Sequence, residues 1–186
     1  MKYIIYQVDA FSIRPFKGNP AGVCILAGPK DPEWMQAVAQ EMNLSETAFL
    51  IPKGDDYLLR WFTPTTEVAL CGHATLASAH ILFENGYYDF DETIHFHTAS
   101  GVITATTDNG TIELDMPRLS SRPIDIPADA LEATGLNPIA AAISDTQQLI
   151  LVLNSEEEVR QFEPDMRKII KLPYVDLIIT AEAESE

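Results

Sequence analysis

The chain of 186 residues is strongly acidic. It carries 28 Asp and Glu residues against 12 Lys and Arg residues, for a formal net charge of −16, and 46% of its residues are hydrophobic. This charge argues against a nucleic-acid or anionic-membrane partner, because both bind through basic surfaces. The length suits one domain, or one domain with part of another.

The first part of the chain is predicted to be rich in strands. Strands are expected at residues 3–11, 23–26, 57–63, 93–98, 101–107 and 111–116, with a further helix-to-strand transition at 44–49. The Asn109-Gly110 pair predicts a hairpin between the last two. Asp31 and Pro32 are typical of a helix start. The apolar residues of that helix recur with helical spacing on one face.

A helix at residues 72–85 organises the rest of this part. Residues 70–83 are apolar on every side when wound as a helix, which indicates burial. The stretch is too short to cross a membrane, and Asn85-Gly86 is a typical helix end. Gly72 suggests a close backbone approach, and the first-turn amides form a potential anion site. We therefore expect a helix threaded through a set of strands.

The sequence predicts two half-domains of an α+β fold. Residues 1–117 supply seven strands, one buried helix and one surface helix, and the proline-rich segment that follows Pro117 reads as a boundary. Residues 118–186 contain predicted helices at 128–135, from the Ser155–Glu158 capping box, and at 164–172, with strands at 148–153 and 175–180. This second part looks incomplete, because it has no buried helix and little core. Residues 182–186 are expected to be frayed.

Cysteine usage and the N-terminus predict a cytoplasmic protein. Cys24 and Cys71 are the two cysteines, and a β-rich run follows Met1-Lys2 without a signal peptide. Two free thiols are therefore expected rather than a disulfide.

Three side chains are candidates for chemistry. Glu46 is the one charged residue of the segment 43–52, where partial burial would raise its pKa and suit proton transfer; the alternative is a solvated carboxylate or a pair with Lys53. His73 begins the central helix, which favours a neutral imidazole, and the alternative is a hydrogen-bonded core histidine. Cys71 lies at the same helix start, where its thiol pKa is expected to fall, unless it is simply a small buried residue.

Two other patterns are weaker. His95 and His97 lie on the same face of a strand, but no third ligand is evident nearby, so no metal site is predicted. His80 is expected to be a packing or surface residue. The Gly18-Asn19-Pro20 turn lacks the glycine spacing and the lysine of a phosphate-binding loop.

A series of motifs then points to a family. In chain order they are Val8-Asp9-Ala10-Phe11, Gly18-Asn19-Pro20-Ala21, Glu41-Met42-Asn43-Leu44-Ser45-Glu46-Thr47-Ala48-Phe49, Leu59-Arg60-Trp61-Phe62-Thr63-Pro64 and Cys71-Gly72-His73-Ala74-Thr75. Together they resemble the phenazine-biosynthesis isomerase (PhzF-like) family, which has the fold of diaminopimelate epimerase. The resemblance is specific over residues 3–79 and continues in character to 181.

The resemblance implies a fold and a reaction. Each half of such a protein is a β-barrel-like sheet wrapped around a central helix, and the active site lies between the halves. The implied reaction is an isomerisation by acid/base proton transfer on a small carboxylate-bearing substrate, with no metal and no organic cofactor, in a homodimer. Glu46 matches the catalytic acid/base, and Ser45, Gly72, His73 and Asn19 match substrate-binding positions.

Some features depart from the family pattern and leave alternatives open. The second central helix of the family starts in an Asp-Pro-Val-Thr-Gly-Ser-like motif, and the sequence reaches Glu186 before any such motif, so the second pseudo-repeat is incomplete. The chain is then expected to be a fragment of a longer protein, or to receive the rest of the pocket from a complementing C-terminal half in another chain, or to be a non-catalytic binding protein with only the first half-site. Cys71 also leaves open a two-base amino-acid racemase or epimerase of the same fold.

Overall fold

The computed structural model describes residues 2–183, and the chain divides into two compact units, Met1–Pro117 and Arg118–Glu186. Residues 184–186, at the end of the predicted frayed segment, lie outside the described residues. Within residues 2–183, no helix combines the length and apolar character needed to span a membrane. Cys24 and Cys71 are both free and buried, as expected.

The first unit contains one sheet and two helices. In the described part of this unit, the strands are β1 (Ile5–Ala10), β2 (Asn19–Ile25), β3 (Glu46–Lys53), β4 (Asp56–Phe62), β5 (Glu67–Val68), β6 (Ile94–Thr98), β7 (Gly101–Asp108) and β8 (Thr111–Asp115), and the helices are α1 (Pro32–Met42) and α2 (Gly72–Glu84). The strand order is β1-β2-β3-β4-β6-β7-β8, with β5 paired to β4. The pairs β2–β3 and β4–β6 are parallel, and the other pairs are antiparallel. The two-residue strand β5 was not predicted, because so short a segment carries no alternation.

Helix α2 is the centre of this unit, as the sequence predicts. It packs against β1, β2 and β3 and also against β8, so strands from both ends of the sheet contact the same helix. The sheet therefore curls into a half-barrel around it. Small residues such as Ala74, Ala77 and Ala79 are fully or almost fully buried and let the strands approach closely. The buried hydroxyls of Thr75 and Ser78 donate to carbonyls four residues earlier, which satisfies them inside the core.

The central strands have two apolar faces because alternate side chains point to opposite sides of the sheet. The inner face packs on α2 and includes Val23, Ala48, Leu50, Leu59 and Trp61. The outer face packs on α1 and includes Cys24, Phe49, Ile51 and Phe62, against Met35 and Ala39 of that helix. The sheet is thus covered on both sides at β2–β4.

The turns and caps in this unit differ from the sequence predictions at two points, of which the first is the turn predicted at Gly18-Asn19-Pro20. Strand β2 already begins at Asn19, so most of that segment is strand. Asn109 and Gly110 both have positive φ angles, 49° and 82°, which confirms the predicted hairpin turn. Asp31 occupies the N-cap of α1, but its side chain makes no capping hydrogen bond. Its carbonyl oxygen instead accepts hydrogen bonds from the backbone N–H groups of Trp34 and Met35.

The second unit is a smaller sheet with three short helices. In its described part, the strands are β9 (Ser121–Ile124), β10 (Ala140–Ser144), β11 (Leu149–Val152) and β12 (Leu177–Thr180), and the helices are α3 (Ala128–Thr134), α4 (Glu156–Gln161) and α5 (Met166–Ile169). The strand order is β12-β11-β10-β9. The antiparallel pair β10–β11 leads through α4 and α5 to the parallel neighbour β12. This connectivity repeats the start of the first unit, where the antiparallel pair β1–β2 leads through α1 to the parallel neighbour β3.

The structure corrects several details of the second unit. The segment predicted as a proline-rich boundary contains strand β9, which lies at the edge of the sheet. Pro123 is tolerated there because a residue of an edge strand need not donate a backbone hydrogen bond to a neighbouring strand. Strand β10 was also missed. Ser155 caps α4 by accepting from the N–H of Glu158 at 3.3 Å, but the Glu158 carboxylate accepts from Asn154 rather than from Ser155. The helix predicted at 164–172 is reduced to the single turn of α5.

Candidate active site

The end of one strand and the start of the central helix come together in the first unit. Glu46 is the first residue of β3 and is the register partner of Ala21 in β2. Cys71 is the N-cap residue of α2, and Gly72 and His73 lie in its first turn. The helix-to-strand transition predicted at 44–49 makes Ser45 and Glu46 hinge residues, and at this hinge their side chains reach the start of α2.

His73 contacts both predicted hinge residues. Its Nε2 atom lies 3.4 Å from Oε2 of Glu46 and 3.2 Å from Oγ of Ser45. The Ser45 hydroxyl also donates to the carbonyl oxygen of Pro20, at 3.5 Å. The side chain of Glu46 is 21% exposed and that of His73 is 10% exposed. The carboxylate thus remains accessible while one of its neighbours is almost buried.

Burial keeps the imidazole of His73 neutral. It lowers the pKa of His73 below the ordinary value of 6.5, and the nearby Glu46 carboxylate and a hydrogen bond with the Pro20 backbone offset this only in part. Near neutral pH the 3.4 Å contact between His73 and Glu46 therefore joins a neutral ring and a carboxylate, rather than two opposite charges.

The thiol of Cys71 lies on the other side of the ring. Its Sγ atom is 3.4 Å from Nδ1 of His73. Burial raises the pKa of Cys71 to about 12, and the Glu46 charge adds to this, against a hydrogen bond from the Ala74 backbone that lowers it. The sequence-based expectation of a lowered thiol pKa is wrong, because the desolvation of the helix start outweighs the helix dipole.

The ring of His73 links two side chains. Nδ1 contacts Sγ of Cys71, and Nε2 contacts Oγ of Ser45. In a neutral imidazole one nitrogen donates and the other accepts, so the ring is the donor in one of these contacts and the acceptor in the other. The carboxylate of Glu46 lies beside Nε2. The raised pKa keeps Cys71 a thiol, which weakens the two-base racemase alternative.

The same three residues offer possible metal ligands. Their ligand atoms all lie within 4.8 Å of one another. However, Cys71 faces Nδ1 of the ring and Glu46 faces Nε2, so His73 lies between the other two. One ion could not take all three without turning the ring, and the geometry favours hydrogen bonding over metal binding.

Gly72 is open rather than closely packed. A Cβ atom at this position would have Met116 Cε, at 4.0 Å, as its nearest neighbour among the described residues. The predicted close backbone approach therefore involves no other residue between 2 and 183, and an approach to a bound molecule stays a prediction. Helix geometry leaves the N–H groups of Gly72 and His73 without carbonyl partners in α2. N–H groups of this kind can bind an anion, and that role for Gly72 and His73 stays a prediction.

Asn19 directly precedes Pro20, whose carbonyl oxygen contacts this group. It is the first residue of β2, is exposed, and pairs through its backbone with Ala10. No hydrogen bond joins its side chain to any residue between 2 and 183. Its role in substrate binding stays a prediction. The carbonyl of Pro20, next along the chain, was not predicted as part of the site, because a backbone acceptor leaves no sequence signal.

Comparison with known proteins identifies the family. The model of the phenazine biosynthesis-like (PhzC-PhzF) family matches residues 8–186. The chain belongs to this family. A PhzC-PhzF relative from Halalkalibacterium halodurans, named an uncharacterized isomerase, is 44% identical over 182 residues, which cover 97% of this chain and 68% of the relative.

Solved structures of the PhzC-PhzF family confirm the fold. A PhzF-family protein from Enterococcus faecalis is 41% identical with a TM-score of 0.87, and the match covers all of this chain and 70% of that one. A predicted epimerase from Pseudomonas aeruginosa has a TM-score of 0.68 at 21% identity, over 96% of this chain and 70% of that one, which shows the fold alone. The predicted α+β, epimerase-like fold with a sheet wrapped around a central helix is confirmed.

Proposed function

We propose that this protein is an isomerase that moves a proton on a small carboxylate-bearing substrate without a metal or an organic cofactor, and that it acts in the cytoplasm. The isomerase names of its relatives support the reaction class. The observation that carries the proposal is the half-buried Glu46 carboxylate, 3.4 Å from the neutral His73 at the start of α2. A base next to a set of hydrogen-bond donors is what such a proton transfer requires.

In the proposed reaction, Glu46 takes a proton from a substrate carbon and becomes a carboxylic acid. The electron pair of the broken C–H bond stays on the substrate, where it is delocalised into an adjacent conjugated or carboxylate group. The N–H groups of Gly72 and His73 stabilise the resulting negative charge. Glu46 then returns the proton to a different position, so that no net charge or atom is lost. Ser45 and Asn19 position the substrate.

The proposal also includes the part of the active-site pocket that faces Glu46. The chain covers about 70% of the length of the relatives given above. We propose that a complementing C-terminal half closes the pocket over Glu46, and that the functional protein is a homodimer.

The test measures proton exchange and does not require the natural substrate. A panel of small unsaturated and amino carboxylic acids is incubated with the protein in D₂O, and deuterium uptake at carbon is followed by NMR. We expect exchange on at least one acid, and Glu46→Gln should slow it by roughly 100-fold or more, because the base is lost. Glu41→Gln, an exposed residue of α1, is the matched control and should exchange at the normal rate.

Two results would contradict this proposal. Exchange that continues unchanged in Glu46→Gln would remove Glu46 from the mechanism. Binding of carboxylates without any exchange in the unaltered protein would support the alternative of a non-catalytic binding protein.

A further inference from the structure

The loop between β1 and β2, residues 11–18, has an unusual backbone conformation for its sequence. Phe11 and Phe16 have φ angles of 62° and 64°, in the left-handed region that bulky side chains rarely adopt. Both residues are strongly exposed, at 73% and 94%, so packing against the core does not hold them in place. Such a conformation persists only where neighbouring groups impose it, and it is frequent beside functional sites.

The side chain of Asp9 closes this loop. Its Oδ2 atom accepts a hydrogen bond of 2.7 Å from the backbone N–H of Phe16, seven residues further along the chain. A hydrogen bond to a carboxylate is stronger than one between neutral groups. Gly18 packs on the same residue, because a Cβ atom at Gly18 would lie 2.9 Å from Cβ of Asp9. Asp9 therefore fixes the path by which the chain enters β2.

The start of β2 connects the loop to the candidate active site. Pro20 is the register partner of Asp9, and its carbonyl oxygen accepts hydrogen bonds from the Ser45 hydroxyl and from the ring of His73. Because Pro20 has no N–H group, it cannot donate a backbone hydrogen bond that would anchor it to β1. Its position therefore depends on the loop, and a shift of the loop moves an acceptor that holds both side chains.

We propose that Asp9 is a positioning residue of the candidate active site, which acts through the loop 11–18 and the Pro20 carbonyl on the orientation of His73. The proposal rests on the proposed function, because it takes His73 as part of the group that handles the substrate. Asp9 acts here as a hydrogen-bond acceptor rather than through its charge. The two sequence motifs that contain Asp9 and Pro20 thereby serve one purpose.

The first measurement is the titration of His73, followed by NMR of the ring signals and assigned by the signal that is lost in His73→Gln. The hydrogen bond with Pro20 favours the protonated imidazole and so raises its pKa against the effect of burial. Asp9→Ala removes the acceptor for the Phe16 N–H and frees Pro20, and should therefore lower the pKa of His73 further. Asp9→Asn keeps an oxygen that can accept from Phe16, and should restore the titration of the unaltered protein.

The second measurement is the exchange of carbon-bound protons in D₂O with the same panel of acids. Asp9→Ala should lower the exchange rate roughly tenfold, because a misplaced imidazole aligns the substrate poorly with the base. Asp9→Asn should keep most of the rate. The matched control is Ser12→Ala, which removes two hydrogen bonds with the Arg14 backbone inside the same loop and leaves the contact between Asp9 and Phe16 intact. It should change neither the titration nor the rate.

The two measurements distinguish this proposal from the proposed function. If no acid exchanges in the unaltered protein, the proposed function fails, while the titration of His73 still decides the role of Asp9. An unchanged pKa of His73 in folded Asp9→Ala would overturn the proposal, and so would an Asp9→Asn or Ser12→Ala variant as altered as Asp9→Ala. If Asp9→Ala does not fold, Asp9→Ser gives the same test, because its hydroxyl is one bond too short to reach Phe16.

Discussion

At the residue scale, His73 connects the groups of the candidate active site. Its Nδ1 atom is hydrogen-bonded to the Cys71 thiol, and its Nε2 atom is hydrogen-bonded to Ser45 and lies beside the Glu46 carboxylate. We predict that Cys71 is a positioning residue, which acts through the orientation of the imidazole. The two-base racemase alternative would instead give Cys71 the role of a base.

Substitution of Cys71 distinguishes these roles. Cys71→Ala should lower the rate of carbon-bound proton exchange roughly tenfold, because Nδ1 loses its hydrogen-bond partner and the ring is less well oriented. Cys71→Ser should restore most of the rate, because its hydroxyl can donate to the same nitrogen. Exchange rates measured by NMR in D₂O check this. A serine variant as inactive as the alanine variant would contradict the positioning role.

The residues around His73 also show which features of the site could be predicted from the sequence. Glu46, Ser45 and His73 were identified from motifs, because their spacing from the ends of predicted elements is local information. The raised pKa of Cys71 could not be predicted, since it depends on how deeply the sheet buries the start of α2. Asp56 was missed as a neighbour of His95 and His97 because the contact depends on the register between two strands that are distant in sequence.

At the element scale, the turn between β1 and β2 depends on one glycine. A Cβ atom at Gly18 would lie 2.4 Å from the carbonyl oxygen of Ala10 and 2.8 Å from the carbonyl carbon of Asp9. These are backbone atoms of the neighbouring strand and cannot move aside cheaply. The segment also brings the Phe16 N–H to the Asp9 carboxylate, at 2.7 Å.

We expect Gly18→Ala to lower the free energy of unfolding by about 1–3 kcal/mol, the usual cost of overpacking. The matched control is Gly28→Ala, since no atom lies within 4 Å of a Cβ at Gly28 and its φ is not positive. That variant should change stability by about 0.5 kcal/mol at most. Urea unfolding followed by circular dichroism measures both. Equal stability of the two variants would contradict the packing argument.

The elements of the first unit were easier to predict than those of the second. Alternation, the Asn109-Gly110 turn and the apolar run of α2 are strong local signals, and the observed elements follow them closely. Strand β10 is composed largely of alanine, which carries little strand preference, and β9 contains a proline. These strands form because β10 pairs with both β9 and β11. Pairing between separate segments leaves no local sequence pattern, so it could not be predicted.

At the scale of the whole molecule, buried His73 couples folding to pH. Its pKa in the folded protein is below the ordinary value of 6.5, so the unfolded chain binds a proton more readily than the folded one. The free energy of unfolding therefore falls as the pH drops below about 6.5 and continues to fall until the folded-state pKa is reached.

This coupling is measured by comparing unfolding at about pH 7.5 and about pH 5.5. The loss of stability on acidification should be smaller in His73→Gln than in the unaltered protein. His80→Gln, which changes an exposed histidine, should behave like the unaltered protein. The many carboxylates are common to all three proteins, so the difference isolates His73. Identical pH dependence in all three would show that His73 is not the group responsible.

The wrapping of α2 by strands from both ends of the sheet has a consequence for biosynthesis. On the ribosome, β1, β2 and β3 are available before α2 emerges, but β8 follows only after the whole segment from Asn85 to Asp115 has been translated. During that interval a helix without a polar side lacks its last covering strand. A nascent chain stalled there would expose an apolar surface that chaperones can bind. Chaperones would then dissociate from that surface when the β7–β8 hairpin arrives and covers it.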